Sequence, residues 1–271
     1  MMISASTSVY GIFGDPVSHS LSPVMHNAAF SHIGYDAAYL AFRVKDIGAA
    51  VSAIKALNIK GVSVTIPHKV AIMAFLDEVD EMAEKIGAVN TVVNRDGVLT
   101  GYNSDWLGAV KALSEKSDIR GKNIAVIGAG GAARAIGFGI ISEGGKVVIV
   151  NRSADKGEKL AGDIGAEFLL LSEFKGKQYD ILINTTPLGM TPNIGTTPVP
   201  KNCLAENTVV MDIVYNPLKT RLLKEAEEAG CTVIDGLSMF VRQGVFQFEL
   251  WTEKKAPVEV MRGAVLNALR G

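Results

Sequence analysis

Cysteine is nearly absent from this sequence. Among 271 residues only Cys203 and Cys231 occur, in unrelated segments and at no metal-binding spacing. That rules out a disulfide-stapled scaffold and points to no metal site; both thiols are expected to be reduced, as in a cytoplasmic protein. An excess of either charge is lacking too: 27 Lys and Arg face 28 Asp and Glu, a net charge of -1. Nucleic acid calls for a basic face and is not an expected partner. No apolar run approaches the ~18 residues that would span a bilayer. The start, MMISASTSVYGIFG, has no basic segment followed by an apolar stretch, so neither a membrane partner nor a secretory signal is expected.

What is present is alternation. A chain of this length holds one large core or two modest ones, and two is the better expectation. Short β-branched runs alternate with helical patterns throughout, which predicts an α/β protein with mostly parallel sheet. In the first third the pattern predicts strands at 9–13, 38–42, 61–64 and 88–93, and helices at 23–33, 47–57 and 78–85. Ser22 is the N-cap candidate for the first helix, with Pro23 at its first position. Asp96-Gly97 reads as a hairpin turn. From Gly121 the pattern restarts, with strands at 123–127, 147–150, 181–184, 209–213 and 233–234 and helices at 132–141, 154–161 and 218–229. A helix at 107–117 links the two parts, giving a first domain of 1–106 and a second of 107–239; two more helices follow at 240–251 and 258–269.

The second part opens on AVIGAGGAARA at 125–135. Its turn departs from G-x-G-x-x-G by ending in alanine, yet the physical logic survives. Gly128 permits the tight turn, Gly130 lets backbone N–H groups approach a pyrophosphate, and Ala133 is small enough for close helix–strand packing. Gly131 and Ala132 open a helix whose positive dipole end would face the phosphates. The next strand chooses the dinucleotide. An NAD site would carry an acid about 20 positions on, at that strand's tip. Here the tip reads Asn151-Arg152-Ser153, with Lys156 one turn later, and Arg152 suits a 2′-phosphate through its planar fork of donors. NADP is the expected cofactor. Asp155, already inside the helix, is ordinary first-turn capping.

Four polar stretches precede this unit: SHSLSPVMHN at 18–27, GVSVTIPHK at 61–69, GAVNT at 87–91 and GYNSD at 101–105. Each puts small hydroxyl or amide groups at a strand end or helix start, where open α/β sheets bind ligands. Together they suit a small, hydroxyl-rich molecule. With AVIGAGGAARA, NTTPLGM at 184–190, DIVYNP at 212–217 and GLSMFVRQ at 236–243, they resemble the shikimate dehydrogenase family, in order and over nearly the whole chain.

The resemblance implies a two-domain enzyme that reduces 3-dehydroshikimate with NADPH: an N-terminal α/β substrate domain, then a Rossmann-type NADP domain. Ser20 and Ser22 match serines that hold the substrate carboxylate. Thr65, Asn90 and Gln243 match residues that bond ring hydroxyls, and Tyr215 one that lines the same pocket. Lys69 and Asp105 match the catalytic pair. Asn151, Arg152, Ser153, Lys156 and Thr185 join the glycine turn as the expected cofactor site, with Gly236 and Met239 against the nicotinamide. Because Gln243 lies past the nucleotide unit, the helices at about 240–271 are expected to return to the first domain. Two positions depart from the family pattern: Ser63 stands where asparagine is frequent, and Ser104 where threonine is. Both bear on substrate preference.

The chemistry agrees with the residue types. Hydride addition to a ketone leaves an alkoxide that needs a proton, and a lysine ammonium oriented by a carboxylate can give one. Lys69 and Asp105 are therefore expected to act as a coupled pair. His19, His26 and His68 are expected to be structural. No arginine lies in 18–27, so the two serines, backbone N–H groups and a helix N-terminus must hold any anion. A quinate/shikimate dehydrogenase and a catalytically silent NADP-binding regulator are the rival expectations; loss of Lys69 or Asp105 would mark the second, and both are present. The apolar helices suit either a homodimer face or core.

Overall fold

The computed structural model describes residues 3–175 and 178–270. The chain divides into two compact units, one formed by residues up to Ser104 and from Gln243 onward, the other by Asp105–Arg242.

The first unit begins with β1 (Ser8–Gly14), α1 (Ser22–Ile33), β2 (Ala37–Arg43), α2 (Ile47–Ala56), β3 (Gly61–Val64), β4 (Glu78–Val79), α3 (Glu81–Ile86), β5 (Thr91–Arg95) and β6 (Val98–Tyr102). They form a six-stranded mixed sheet in the order β2-β1-β3-β5-β6-β4. β1 runs parallel to both β2 and β3, while β5 is antiparallel to β3 and β6. Asp96 and Gly97 make the hairpin turn between β5 and β6 with φ of 52° and 91°, the left-handed pair that matches strand twist.

Two local expectations are corrected here. Ser22 does not cap α1: Leu21 holds the cap position without a side-chain bond, and Ser22 is already helical. The helix expected at 78–85 starts only at Glu81, because the Asp80 carboxylate accepts the N–H groups of Met82 and Ala83. That cap ends the extended segment before it, leaving Glu78–Val79 to pair with β6. The strand expected at 88–93 is shifted to β5, since Gly87 terminates α3 in the left-handed conformation and three residues intervene.

The second unit takes in most of α4 (Ser104–Ser114), then β7 (Asn123–Ile127), α5 (Gly131–Ser142), β8 (Lys146–Asn151), α6 (Ala154–Ile164), β9 (Glu167–Leu170), β10 (Ile181–Asn184), β11 (Val209–Asp212), α7 (Arg221–Glu228), β12 (Thr232–Ile234) and the start of α8 (Gly236–Thr252). Its six strands are all parallel, ordered β12-β11-β10-β7-β8-β9. Counted from β7, this is the 3-2-1-4-5-6 order of a doubly wound dinucleotide fold, with its switch point between β7 and β10. Ala125, Ile127, Leu182 and Val210 face one buried layer, and Ile124, Val126, Ile181 and Ile183 the other, as expected of strands covered on both faces. α7 starts at Arg221, not at 218, because Thr220 Oγ1 takes the Leu223 N–H. The linking helix starts at Ser104, not at 107, and β9 is a strand that the pattern did not suggest.

α8 then runs on into the first unit and is followed by α9 (Val258–Arg270), which packs on α1. Trp251 closes that packing. Its Nε1 donates to Val92 O at 3.0 Å, and a Cβ on Gly61 would stand 2.2 Å from the indole, so the strand must carry glycine there. Met25, Phe30, Phe248 and Met261 are fully buried in this layer, each adding about 1.5–3 kcal/mol of hydrophobic stabilisation.

Candidate active site

In the first unit the sheet reverses order between β1 and β3, so the loops after these two strands leave its carboxyl edge side by side. The loop after β1 carries Ser20 and leads into Ser22, the first residue of α1; Ser20 Oγ accepts the Ser22 N–H at 3.3 Å. Ser20 is therefore the side chain that satisfies an α1 donor, the part expected of Ser22. The loop after β3 carries Thr65 and Lys69. Thr65 N donates to Phe13 O at 2.9 Å, and a Cβ on Gly14 would meet Thr65 Cγ2 at 2.4 Å, so glycine lets the loops meet. Lys69 O accepts the Val89 N–H at 2.8 Å, which pins the lysine's backbone to the segment ahead of β5.

Asn90 is the centre of the cluster. It is 3% exposed, and its Oδ1 accepts the Ser104 N–H at 2.7 Å and the Thr91 hydroxyl at 2.8 Å. The Ser104 hydroxyl lies 3.1 Å from that same oxygen and 3.3 Å from Gln243 Oε1. Asn90 and Gln243, far apart in the chain, are thus joined through one serine. Asp105 follows that serine directly in the chain. Lys69 and Asp105 each adjoin a backbone group clamped on Val89–Asn90, from opposite sides in sequence.

Two of the histidines, His68 and His26, are built into the packing. His68 is buried with Nε2 2.8 Å from Val44 O. His26 is fully buried and stacks on Tyr39 at 4.6 Å, with Trp251 at 5.3 Å. Burial lowers its pKa to about 3, so the ring is neutral.

In the second unit the glycine turn sits at the sheet's switch point. Gly128 has φ 119°, and a Cβ there would stand 2.5 Å from Thr185 Oγ1. Thr185, at the end of β10, donates through both N and Oγ1 to Ile127 O, at 2.9 and 2.6 Å. A Cβ on Gly130 or Gly131 would meet no heavy atom within 4 Å. Gly130 caps α5 with no side-chain bond, Ala132 lies in the first turn and Ala133 is fully buried. At the tip of β8, beside β7, Asn151 Nδ2 donates to Ser153 O at 2.9 Å, and Arg152 and Lys156 are exposed. Open space over the glycines, an uncapped helix N-terminus and a cationic strand tip without a carboxylate fit a dinucleotide bearing a 2′-phosphate.

The remaining expected residues also lie in this unit. Gly236 is packed so tightly that a Cβ would stand 2.4 Å from Ile213 O. Met239, 8% exposed, belongs largely to the apolar core. Tyr215 stacks on Phe240 at 4.9 Å, and burial raises its pKa. Tyr215 is therefore grouped with the nucleotide unit, while the Asn90 cluster belongs to the other. Below these loops Asp212 is fully buried and accepts from Asn184, Val214 and Thr220; burial lifts its pKa to about 6.

The family profile for the shikimate dehydrogenase substrate binding domain matches residues 12–92, that for shikimate / quinate 5-dehydrogenase matches 110–217, and that for the shikimate 5'-dehydrogenase C-terminal domain matches 236–266. A shikimate dehydrogenase (NADP(+)) of Bacillus cereus (strain B4264) is 46% identical over 97% of this chain and 99% of its own. The chain belongs to the shikimate dehydrogenase family. The crystal structure of a shikimate dehydrogenase in complex with NADP+ superposes with a TM-score of 0.96, at 43% identity, covering 99% of this chain and 98% of that one. The shikimate 5-dehydrogenase of Thermus thermophilus, in complex with NADP(H) and shikimate, gives 0.89 at 35% identity, covering 97% and 100%.

Within a shikimate dehydrogenase fold, Ser63 and Ser104 acquire a definite place. Neither widens an open pocket, for they are 4% and 0% exposed. Ser63 Oγ receives the Tyr39 hydroxyl at 2.6 Å and donates to Gln247 Oε1 at 2.9 Å. Gln247 Nε2 donates to Thr91 Oγ1 at 3.0 Å, and Thr91 donates to Asn90. Burial pushes the pKa of the Tyr39 phenol well up. Tyr39, Thr91 and Gln247 were not among the expected site residues. One signal could have found Gln247: it lies four residues after Gln243, on the same helix face.

Proposed function

We propose that the chain is an NADP-dependent shikimate dehydrogenase, reducing 3-dehydroshikimate to shikimate in the pathway to aromatic amino acids. The observation that carries the site assignment is the convergence on Val89–Asn90. The Lys69 backbone, the residue preceding Asp105, the Asn90 carboxamide and Gln243 are tied to that one short segment by backbone and side-chain bonds.

Ser20 and Ser22 hold the substrate carboxylate through their hydroxyls, Thr65, Asn90 and Gln243 bond the ring hydroxyls, and Tyr215 lines the pocket. Each such group left unmatched by a wrong substrate costs about 1–3 kcal/mol. Gly128, Gly130, Gly131 and Ala132 cradle the pyrophosphate of NADP. Asn151, Arg152, Ser153 and Lys156 take its 2′-phosphate and ribose, and Thr185, Gly236 and Met239 flank the remainder. Bound NADPH supplies the hydride. As the carbonyl carbon accepts it, the carbonyl oxygen gains charge and takes a proton from Lys69 Nζ. Asp105 orients that ammonium. In the oxidation of shikimate the neutral Lys69 amine removes the hydroxyl proton. Two cysteines outside any disulfide and small, diffusible substrates support a cytoplasmic setting. Among the described residues no helix is long and apolar enough to cross a membrane.

The deciding measurement is steady-state oxidation of shikimate and of quinate, each with NADP and with NAD. Turnover concentrated on shikimate with NADP supports the assignment. Comparable quinate turnover moves the protein to dual substrate use, and silence from folded, NADP-binding protein overturns catalysis.

A further inference from the structure

Asn184 and Asp212 end two neighbouring strands, β10 and β11, and are register partners. Both are fully buried, at a place where two apolar side chains would pack without needing partners. Their side chains bond to each other and to the loops that leave these strands. Asn184 Oδ1 accepts the Thr186 N–H at 3.0 Å and the Thr186 hydroxyl at 2.7 Å. That N–H can only donate, which makes the amide atom facing it the oxygen and turns the NH2 the other way. Nδ2 then donates to Asp212 Oδ1 at 2.9 Å, with Thr186 O and Leu188 O each at 3.4 Å. Asp212 repeats the pattern on its own loop: Oδ1 takes the Val214 N–H at 3.1 Å, and Oδ2 the Thr220 hydroxyl at 2.7 Å. The roots of the two loops are thus fastened together by one amide–carboxylate bond. Farther out Thr191 N donates to Asn216 O at 3.0 Å, so the loops run on as a pair.

These loops belong to the reactive half of the site. Thr185 lies between Asn184 and Thr186, and Tyr215 follows Val214. A Cβ on Gly236 would collide with both Ile213 O and Val214 O, so the backbone held by Asp212 also lies against that glycine. With the 2′-phosphate at the tip of β8 and the pyrophosphate at the turn after β7, the rest of the dinucleotide runs on over β10 and β11, strands about 4.8 Å apart. We infer that Asn184 and Asp212 are positioning residues for hydride transfer: their bond sets the separation of the two loops and with it the seat of the nicotinamide ring. Being fully buried, neither touches cofactor or substrate. The inference rests on the dinucleotide site assigned above and names what holds its reactive half in place.

The test uses the full-length enzyme and two readouts. One is the Kd of adenosine 2′,5′-bisphosphate by calorimetry, a probe that has the 2′-phosphate end of the cofactor and no nicotinamide. The other is the single-turnover rate of NADP reduction at saturating shikimate, followed by stopped-flow absorbance. Asp212→Ala is expected to slow that turnover about 10- to 100-fold, the effect of a reacting group misplaced by about 1 Å, with the bisphosphate Kd unchanged. Asp212→Asn keeps an oxygen for Val214 and Asn184 and is expected to recover most of the lost rate. An unchanged rate in Asp212→Ala overturns the inference. So does a matching loss of bisphosphate affinity, which would mean that the pair only holds the unit together. An Asp212→Asn rate no better than that of Asp212→Ala overturns it as well, because the bond geometry would then not be what matters. If the wild type does not turn over, or Arg152→Ala binds the bisphosphate as tightly as the wild type, the site assignment falls and the inference with it. Should Asp212→Ala show no cooperative thermal unfolding, Asn184→Ala removes the same junction and leaves Asp212 its bonds to Val214 and Thr220. It is expected to give the same slow turnover and unchanged bisphosphate Kd, and an undiminished rate there would be equally decisive.

Discussion

Lys69 O accepts the Val89 N–H, a backbone bond that truncation of the side chain leaves in place. Lys69→Ala is expected to lower kcat by about 10²- to 10⁴-fold, the usual share of a general acid, with NADP affinity measured by fluorescence titration unchanged. His26 answers to pH instead. Its folded pKa of about 3 lies below the ordinary histidine value of 6.5, so its neutral form favours folding. That contribution is complete above pH 6.5 and is lost as pH falls towards 3, at up to ~1.4 kcal/mol per pH unit. Urea unfolding should therefore show a smaller deficit for His26→Phe at pH 5 than at pH 7; an equal deficit at both would refute the neutral buried ring. Asp212 works in the opposite sense, because its raised pKa of about 6 gives a contribution present below pH 3.8 and lost as pH rises through 6. As pH falls, these two buried groups therefore act in opposite directions.

At the scale of elements, the proposed 2′-phosphate site lies at the tip of β8 and the start of α6. Arg152→Ala is expected to raise the KM for NADPH at least tenfold, about 1.4 kcal/mol, while leaving that for NADH unchanged; parallel changes in both would remove the 2′-phosphate assignment. Most elements that build this face were legible in the sequence because each has a local cause: β-branched runs, a glycine turn, an Asp-Gly hairpin. Errors fell where a side chain made a bond that periodicity does not display. Asp80 cut the third helix short, Thr220 delayed α7, and Ser20 rather than Ser22 took the α1 donor. β9 escaped notice because Glu167–Leu170 has one neighbour, β8, and only partial burial. Asn90 and Gln243 were read from motif likeness, but the link between them was not. Ser63 and Gln247 bond across 184 positions, and no local pattern couples residues so far apart.

At the scale of the whole molecule, the first unit is discontinuous. Its sheet and α1 come from residues up to Ser104, yet the layer that covers them holds Gln247, Trp251 and Met261, all from the far end of the chain. A fragment of residues 1–104 is expected to lack a cooperative thermal transition by circular dichroism, and to gain one when a peptide of 243–271 is added. A cooperative transition in the fragment alone would show that the C-terminal layer is dispensable.

Trp251 against Gly61 carries this further, into the timing of synthesis. The ribosome delivers the strand first and the indole last, with the entire second unit made in between. Domains emerging from the ribosome generally fold as they appear, N-terminal first. Here the order is inverted: the nucleotide unit has nearly all its residues while the substrate unit still waits for its lid of helices. For that interval the nascent chain exposes the β1–β3 face to the cell, and a chaperone that binds bare apolar sheet would meet this protein before its active site exists.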